Sequence, residues 1–259
     1  MKKLVIHGTI KKIALFRSVN FYMTLQKLYS YTRQCIQQFD LIQEGDRIAV
    51  GISGGKDSLT LLYALAGLRK FYPSHFEIIA VTADLGFGTF ELSAIEKLCS
   101  DLEVEYHVIK TEISRILQEK VENGTYCAMC AKLRKGAINN FARENGCNKV
   151  AYAHHQDDMI ETMLLSLIYE GQFFTFAPKT YYKETNLTVI RPLVNIPEKQ
   201  IIGFRNKYKL PCVKNPCPHD GITRRQYVKE LLTKLNRDNP GVKEKMYNAI
   251  LKDRIYQWR

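Results

Sequence analysis

Residues 47–58 read Arg-Ile-Ala-Val-Gly-Ile-Ser-Gly-Gly-Lys-Asp-Ser, and this stretch decides the fold. After Arg47, the next five residues form a β-branched and apolar run of strand length, and residues 59–68 have helical composition and spacing. A strand therefore runs into a glycine turn that opens a helix. Backbone N–H groups and the positive end of the helix dipole converge in such a turn, which predicts an anion-binding site.

The turn itself indicates which anion is bound. It consists of Ser53, Gly54, Gly55, Lys56, Asp57 and Ser58, which offer close backbone approach, two hydroxyls and one ammonium group to a nucleotide phosphate. A Walker P-loop would need glycine and Ser or Thr where this chain has Val50 and Asp57, and G-x-G-x-x-G spacing is also absent. The turn resembles the Ser-Gly-Gly-x-Asp-Ser loop of the ATP pyrophosphatases. That resemblance implies ATP bound through its pyrophosphate.

The rest of the chain predicts the architecture. At 259 residues and 46% hydrophobic content it can bury one α/β core and a smaller appendage. Strands are predicted over 76–82, 105–109, 149–153 and 188–191, and helices over about 21–39, 89–102, 198–208 and 242–256, with a loop over 171–187. This rhythm predicts a Rossmann-like, doubly wound parallel sheet with N- and C-terminal helical extensions. We divide the chain into a basic helical extension (1–40), the ATP-binding domain (41–196) and a basic helical region (197–259).

A cluster of polar residues follows the strand predicted over 149–153: His154, His155, Gln156, Asp157 and Asp158, with a helix expected to begin at one of the two aspartates. Strand ends in a parallel sheet share one rim with the glycine turn, and Asp84 lies on the same rim. Imidazoles can bind phosphate oxygens, and carboxylates can hold magnesium. We therefore predict ATP contacts from Asp84, His154, His155 and Asp157, and magnesium near Asp57 and Asp158. For Asp84 a turn or capping role is an equal alternative.

Seven cysteines, an odd number, argue against a disulfide framework. Cys127 and Cys130 form a Cys-x-x-Cys pair, which we expect to precede a helix ending near Gly146. This spacing lets two thiolates bind one metal centre, but redox and zinc sites share it. Further ligands must come from downstream, where a proline-rich loop carries Cys212 and Cys217.

The net charge of +12 is unevenly distributed. Residues 1–39 hold seven Lys or Arg and no acid, and residues 199–259 hold fifteen against five, so the middle of the chain is acidic. A polyanion laid across the ends would gain from phosphate neutralisation. We predict nucleic-acid contacts from Arg224, Arg225, Lys229 and Lys234, with a merely solvated basic surface as an equal alternative. We expect a cytoplasmic protein, because apolar runs are short and the first fifteen residues do not resemble a secretion signal.

Four motifs occur in a fixed order: the loop at 53–58, Cys-x-x-Cys followed by Leu-Arg-Lys-Gly at 133–136, Ala-His-His-x-Asp-Asp-x-x-Glu-Thr at 153–162, and Pro-Cys at 216–217. Together they resemble the tRNA 2-thiocytidine synthetase (TtcA-like) family of the ATP pyrophosphatase superfamily, over about residues 41–235. The resemblance implies an adenine nucleotide alpha hydrolase-like fold and the use of ATP and Mg²⁺. It also implies a 4Fe–4S cluster on Cys127, Cys130 and Cys217, although Cys212 also follows a proline.

The resemblance implies an activity as well. A cytidine O2 in the tRNA anticodon loop would be adenylated and then replaced by sulfur, with Lys56, Asp57 and Asp158 as catalytic residues. A sulfur donor such as a cysteine desulfurase, and a homodimer, are implied partners. Two alternatives stay open: another PP-loop tRNA-modifying enzyme, of a different thiolation or lysidine type, with zinc on its cysteines, and a non-catalytic RNA-binding protein that senses ATP or iron.

Overall fold

The computed structural model describes residues 23–120, 126–214, 216–217 and 224–257. Most of the predicted extension over 1–40 lies outside these ranges. The described elements, in chain order, are α1 (Leu25–Gln38), β1 (Asp46–Gly51), α2 (Lys56–Leu68), β2 (Phe76–Asp84), α3 (Ser93–Asp101), β3 (Glu105–Lys110), α4 (Ile113–Lys120), α5 (Tyr126–Glu144), β4 (Lys149–Ala151), α6 (Gln156–Glu170), β5 (Lys179–Tyr182), β6 (Leu187–Ile190), α7 (Glu198–Tyr208), α8 (Arg224–Asp238), α9 (Val242–Lys252) and a 3₁₀ turn (Ile255–Gln257).

The strands form one six-stranded sheet in the order β3-β2-β1-β4-β6-β5. All neighbouring pairs are parallel except β5 with β6. The strand order reverses at β1, which pairs with β2 on one side and β4 on the other, and this reversal opens a crevice at the carboxyl ends of the two strands. The predicted α/β, doubly wound fold is confirmed.

Both faces of the central strands are buried, which explains their continuous apolar sequences. Ile48 and Val50 of β1 pack into one hydrophobic core, and Ala49 packs into a second core on the opposite face. Helices α1, α2 and α7 cover the first face, and α4 and α5 cover the second. No helix in the described part of the chain is long and apolar enough to cross a membrane.

Several predicted boundaries were wrong, because caps and packing rather than periodicity fix the ends of elements. Cys127 and Cys130 are the second and fifth residues of α5 and do not precede it. Helix α6 begins at Gln156 because His155 caps it, so the start predicted at the aspartates is one or two residues late. The loop predicted over 171–187 contains β5, a four-residue edge strand held only by its antiparallel partner β6.

The predicted division of the chain into three segments stays a prediction. Residues from all three contribute to the first core, including Leu28 of α1, Leu61 of α2 and Leu232 of α8. The segments are therefore in contact throughout the described chain, and the helical additions pack directly on the sheet domain.

Candidate nucleotide and metal-binding site

Hydrogen bonds made by the hydroxyl groups of Ser53 and Ser58 stabilise the glycine turn between β1 and α2. Ser58 Oγ accepts the Ser53 N–H at 3.2 Å and donates to the Gly55 carbonyl at 3.0 Å. Ser53 Oγ accepts the Gly55 N–H at 3.3 Å. Gly54 adopts φ +79°, a left-handed conformation that favours glycine. The turn thus presents backbone N–H groups of α2, whose N-cap Gly55 makes no side-chain cap.

The loop that leads to Cys217 packs on this turn. The Val213 N–H donates to the Gly54 carbonyl at 3.0 Å, and a Cβ added to Gly54 would lie 2.3 Å from Val213 Cγ2. Gly54 is therefore required both by its backbone conformation and by the close approach of this second loop. The contact ties the phosphate loop to the segment that carries the third predicted cluster ligand.

Gly54→Ala is expected to lower the free energy of unfolding by about 2–4 kcal/mol, since it combines left-handed strain with overpacking against Val213. Gly55→Ala is the matched control, because Gly55 has φ −81° and its added Cβ would meet only Ser53 Oγ at 3.4 Å. We expect a loss below about 1 kcal/mol there. Urea denaturation of both variants measures the difference, and equal losses would contradict the Val213 contact.

Lys56 lies at the start of α2 between two carboxylates. Its Nζ is 2.9 Å from Asp57 Oδ2 and 3.0 Å from Glu198 Oε1. Burial disfavours the charged ammonium group, but Asp57 and Glu198 outweigh burial, so the pKa of Lys56 is raised. The side chain is therefore a cation at neutral pH, placed beside the turn that offers its N–H groups to an anion.

Glu198, the first residue of α7, also accepts from Lys229 Nζ at 2.6 Å. Burial raises the pKa of its carboxyl group, but hydrogen bonds and charge from Lys229 and Lys56 lower that pKa to about 2. Glu198 was not among the predicted site residues. Only its acidic character in a first helical turn distinguished it, and that pattern usually indicates helix stabilisation.

Glu198→Gln is expected to destabilise the protein by ~1–2 kcal/mol at neutral pH, less than the full pKa shift implies, because the side chains of Lys56 and Lys229 are 22% and 40% exposed and the Gln carbonyl still accepts from them. The carboxylate pKa is depressed from 4.5 to about 2, so the stabilisation is complete above 4.5 and is lost as pH falls towards 2. The difference between wild type and variant should shrink over that window in denaturation experiments. Glu244→Gln, which changes an exposed carboxylate 3.7 Å from Lys199, is the control, with an effect below about 0.5 kcal/mol.

The start of α6 faces the phosphate loop. His155 Nδ1 accepts the Asp158 N–H at 3.3 Å, and Asp158 Oδ2 accepts the His155 N–H at 2.9 Å, which together form a capping box. Asp57 Oδ1 is buried 3.7 Å from His155 Nε2 and has no hydrogen-bond partner among the described residues. A buried carboxylate oxygen in this state is suited to a cation. Asp57 therefore fits a magnesium ion that accompanies a nucleotide, whereas both oxygens of Asp158 are engaged, Oδ2 by the His155 N–H and Oδ1 by Arg225 at 3.3 Å.

Two adjoining cavities open at this rim. The first, of about 240 Å³, is walled by the phosphate loop and by the ends of β1, β2 and β4. The second, of about 350 Å³, lies between α5, α7 and α8 and includes Lys56 and Glu198. The cavities share four lining residues: Asp57, Leu85, Arg134 and Asp158. A ligand on the phosphate loop would therefore border both spaces.

Cys127, Cys130 and Cys217 all line the second cavity. Burial and the two neighbouring thiols raise the pKa of Cys130, and Arg134 opposes the increase. Cys212 is not part of this cavity, and its electrostatic neighbours are Arg205, Asp57 and Lys56. Three thiols around a roomy cavity fit the donor set of an iron–sulfur cluster. In the described part of the chain, no three Cys, His, Asp or Glu residues are grouped tightly enough for a single metal ion.

A family model described as a PP-loop domain matches residues 24–235. The tRNA-cytidine(32) 2-sulfurtransferase of Citrifermentans bemidjiense is 42% identical over 220 residues, covering 84% of this chain and 86% of that protein. The enzyme of the same name from Geobacter sulfurreducens is 39% identical over 228 residues, covering 87% and 89%. The chain belongs to the tRNA-cytidine(32) 2-sulfurtransferase family. The predicted family is thereby confirmed.

Solved structures agree on the fold of this tRNA-cytidine(32) 2-sulfurtransferase family member. The U34-tRNA thiolase NcsA from Methanococcus maripaludis, determined with its [4Fe–4S] cluster, matches with a TM-score of 0.71 and 22% identity, over 89% of this chain and 80% of that chain. The NH3-dependent NAD synthetase from Campylobacter jejuni matches with a TM-score of 0.50 and 19% identity, over 92% and 97%. At these identities the similarity concerns the fold.

Two residues predicted to bind ATP, Asp84 and Asp157, form hydrogen bonds within the protein in this family member. Asp157 Oδ2 accepts the Glu198 N–H at 2.7 Å and Oδ1 binds Lys243 Nζ at 2.8 Å, so this aspartate joins α6 to α7 and α9 outside both cavities. Asp84 Oδ1 accepts the Gly86 N–H at 3.0 Å, and its side chain closes the turn after β2. This contact matches the alternative prediction for Asp84, a role in a turn.

His154 lies on the wall of the first cavity. Burial, followed by the nearby charges of Arg191 and Arg225, lowers the pKa of its imidazole well below the ordinary value. The ring is thus neutral, with Phe176 at 4.8 Å between ring centroids. A neutral imidazole can offer one donor and one acceptor to a nucleotide, but it adds no positive charge there.

The four basic residues predicted to bind nucleic acid divide into two pairs. Arg225 contacts Asp158 Oδ1 at 3.3 Å and Glu161 Oε2 at 3.1 Å, and Lys229 contacts Glu198, so both turn into the second cavity. Arg224 and Lys234 remain on the exposed surface of α8. Arg134, which sequence analysis did not single out, lies on the α5 face of the cysteines because it follows Cys130 by four residues.

Proposed function

We propose that this protein uses ATP to replace the O2 atom of a tRNA cytidine with sulfur, releasing AMP and pyrophosphate. The observation that carries the proposal is the pair of adjoining cavities, one walled by the phosphate loop and the other by three cysteines. The name of its relatives, tRNA-cytidine(32) 2-sulfurtransferase, supports cytidine 32 as the reacting base. ATP activation and sulfur delivery need two such spaces in contact.

The phosphate loop would bind the pyrophosphate portion of ATP through backbone N–H groups and the Ser53 and Ser58 hydroxyls. Lys56 would neutralise charge on the phosphates, and Asp57 would hold the magnesium ion. The cytidine O2 attacks the α-phosphorus, pyrophosphate leaves, and the base oxygen becomes part of an adenylate. Incoming sulfur then forms the C–S bond at C2, and AMP departs with the former O2.

Cys127, Cys130 and Cys217 would hold the 4Fe–4S cluster, and a cluster held by three protein thiolates supplies one iron with an open position for sulfur. Arg134 borders both cavities, and the adenylate and the sulfur would meet at this shared wall. Its guanidinium would stabilise the phosphate charge that AMP carries away.

Thiolation of tRNA also requires a source of sulfur and access to tRNA in the cell. We further propose that a cysteine desulfurase or similar donor supplies sulfur, that the enzyme acts in the cytoplasm, and that it forms a homodimer. The basic residues of 199–259 support RNA binding, because they give a surface on which phosphates release counterions.

The proposal is tested on protein purified without oxygen. We expect about four irons and four sulfides per chain and an iron–sulfur absorption spectrum, with ATP-dependent formation of 2-thiocytidine in tRNA and matched release of pyrophosphate. Mass spectrometry of digested tRNA reports the modified base and its position. Zinc without sulfide would favour another PP-loop tRNA-modifying enzyme, and iron without pyrophosphate release in the presence of tRNA would favour the sensor.

A further inference from the structure

The first turns of α8 present two distinct sides. Arg225, Gln226 and Lys229 line the cavity with the cysteines. Arg224 and Tyr227, three residues apart, lie on another side of the helix, and Lys234 repeats this position seven residues beyond Tyr227. One side of α8 therefore faces the candidate active site, while a neighbouring side faces solvent.

The solvent side carries aromatic rings and cations together. The Arg224 guanidinium stacks over the Tyr169 ring of α6, 4.8 Å from its centroid. Tyr169 is 41% exposed and Tyr227 is 57% exposed. Lys234 is exposed and makes no hydrogen bond or ion pair to any described residue. We call Tyr169, Arg224 and Tyr227 the stacking strip.

The chemistry of the strip fits single-stranded RNA. Every base has an apolar face that stacks on aromatic rings or on a guanidinium plane, and cations beside the rings bind the backbone phosphates. Helix α8 carries five basic residues against two acidic ones. A polyanion is attracted to such a helix, whereas a second copy of the same strip would bring cations against cations.

We propose that the stacking strip holds unpaired tRNA bases next to the reacting cytidine, with Lys234 binding the adjoining phosphate. This inference rests on the proposed function and assigns the surface that positions its RNA substrate. Arg224 and Tyr227 of the strip share one turn of α8 with the cavity-lining Arg225, so a strand held on Tyr227 can continue past Arg225 into the cavity. Binding of the unpaired tRNA bases and placement of the reacting cytidine in the cavity would thus both depend on α8.

The test compares Tyr169→Ala, Tyr227→Ala and the conservative Tyr227→Phe in the full-length holoenzyme. Each alanine variant should weaken binding of unmodified tRNA about 5- to 100-fold, and Tyr227→Phe should stay within about 3-fold of wild type, because stacking needs the ring and not the hydroxyl. A fully paired RNA duplex is the second probe, and its affinity should not change. Iron content and ATP binding of each variant are measured to exclude loss of the fold.

Wild-type affinity for tRNA in both alanine variants would overturn the proposal, and so would equal losses for tRNA and the duplex. Unchanged tRNA affinity with a shift from dimer to monomer in sedimentation would instead identify the strip as a contact between copies of the chain. Thiolation by the wild-type protein is assayed in parallel. Its absence would refute the proposed function, whereas thiolating wild-type enzyme with unaffected alanine variants would refute only the strip.

Discussion

Cys127→Ala protein is expected to contain almost no iron or sulfide and to form 2-thiocytidine at least about 100-fold more slowly, while it still binds ATP. Cys127 is exposed in the first turn of α5, so its truncation removes little buried surface. The alanine that replaces it has a high helix propensity, so α5 should stay intact. The loss is therefore chemical, because two thiolates cannot hold a cluster that needs three. Iron and sulfide analysis with a thiolation assay measures the effect.

Cys212→Ala is the matched control for this prediction. Cys212 is exposed, like Cys127, and follows a proline, like Cys217. It lies outside the cavity that is lined by Cys127, Cys130 and Cys217. We expect the Cys212→Ala protein to keep its iron and Cys217→Ala to lose it. The opposite pattern, with iron lost only on replacing Cys212, would reassign the third ligand.

Lys56→Ala is expected to reduce pyrophosphate release by about 10³-fold or more, with iron content unchanged. The ammonium group lies at the phosphate loop between Asp57 and Glu198, and its charge would stabilise the phosphate oxygens as the α–β bond breaks. Removing a single preorganised donor of this kind costs about 10²–10³, and a full charge costs more. Single-turnover assays, with enzyme in excess over tRNA and with saturating ATP, measure the chemical step.

Two further variants separate charge from structure in that experiment. Lys56→Arg keeps the cation and should lose less activity than Lys56→Ala, because the guanidinium still carries a full positive charge beside the phosphate loop. Lys199→Ala removes an exposed lysine next to Glu198 and should be neutral. A Lys56→Ala protein that unfolds, or that retains full turnover, would contradict a catalytic role for this lysine.

Local sequence was sufficient for most of the fold. The apolar runs of β1 and β2, the glycine turn and the helical spacing after it depend on neighbouring residues, and so does the alternation that predicts a parallel sheet. Helix α7 was predicted with both its ends correct. Edge strand β5 was not predicted, because four residues with little burial become a strand only through pairing with β6.

The strand-turn-helix phosphate loop, the pairing of Cys127 with Cys130 and the family could all be predicted before the fold was known, because each depends on residues close together in the chain. Which distant groups meet them depends on the packing of the folded chain. Glu198 reaches Lys56 across 142 positions of the chain, and Cys217 rather than Cys212 joins the cysteine cavity. Arg225 turns inward while Arg224 stays outside. Such contacts follow from how helices pack on the sheet, and residue spacing along a chain carries no record of that packing.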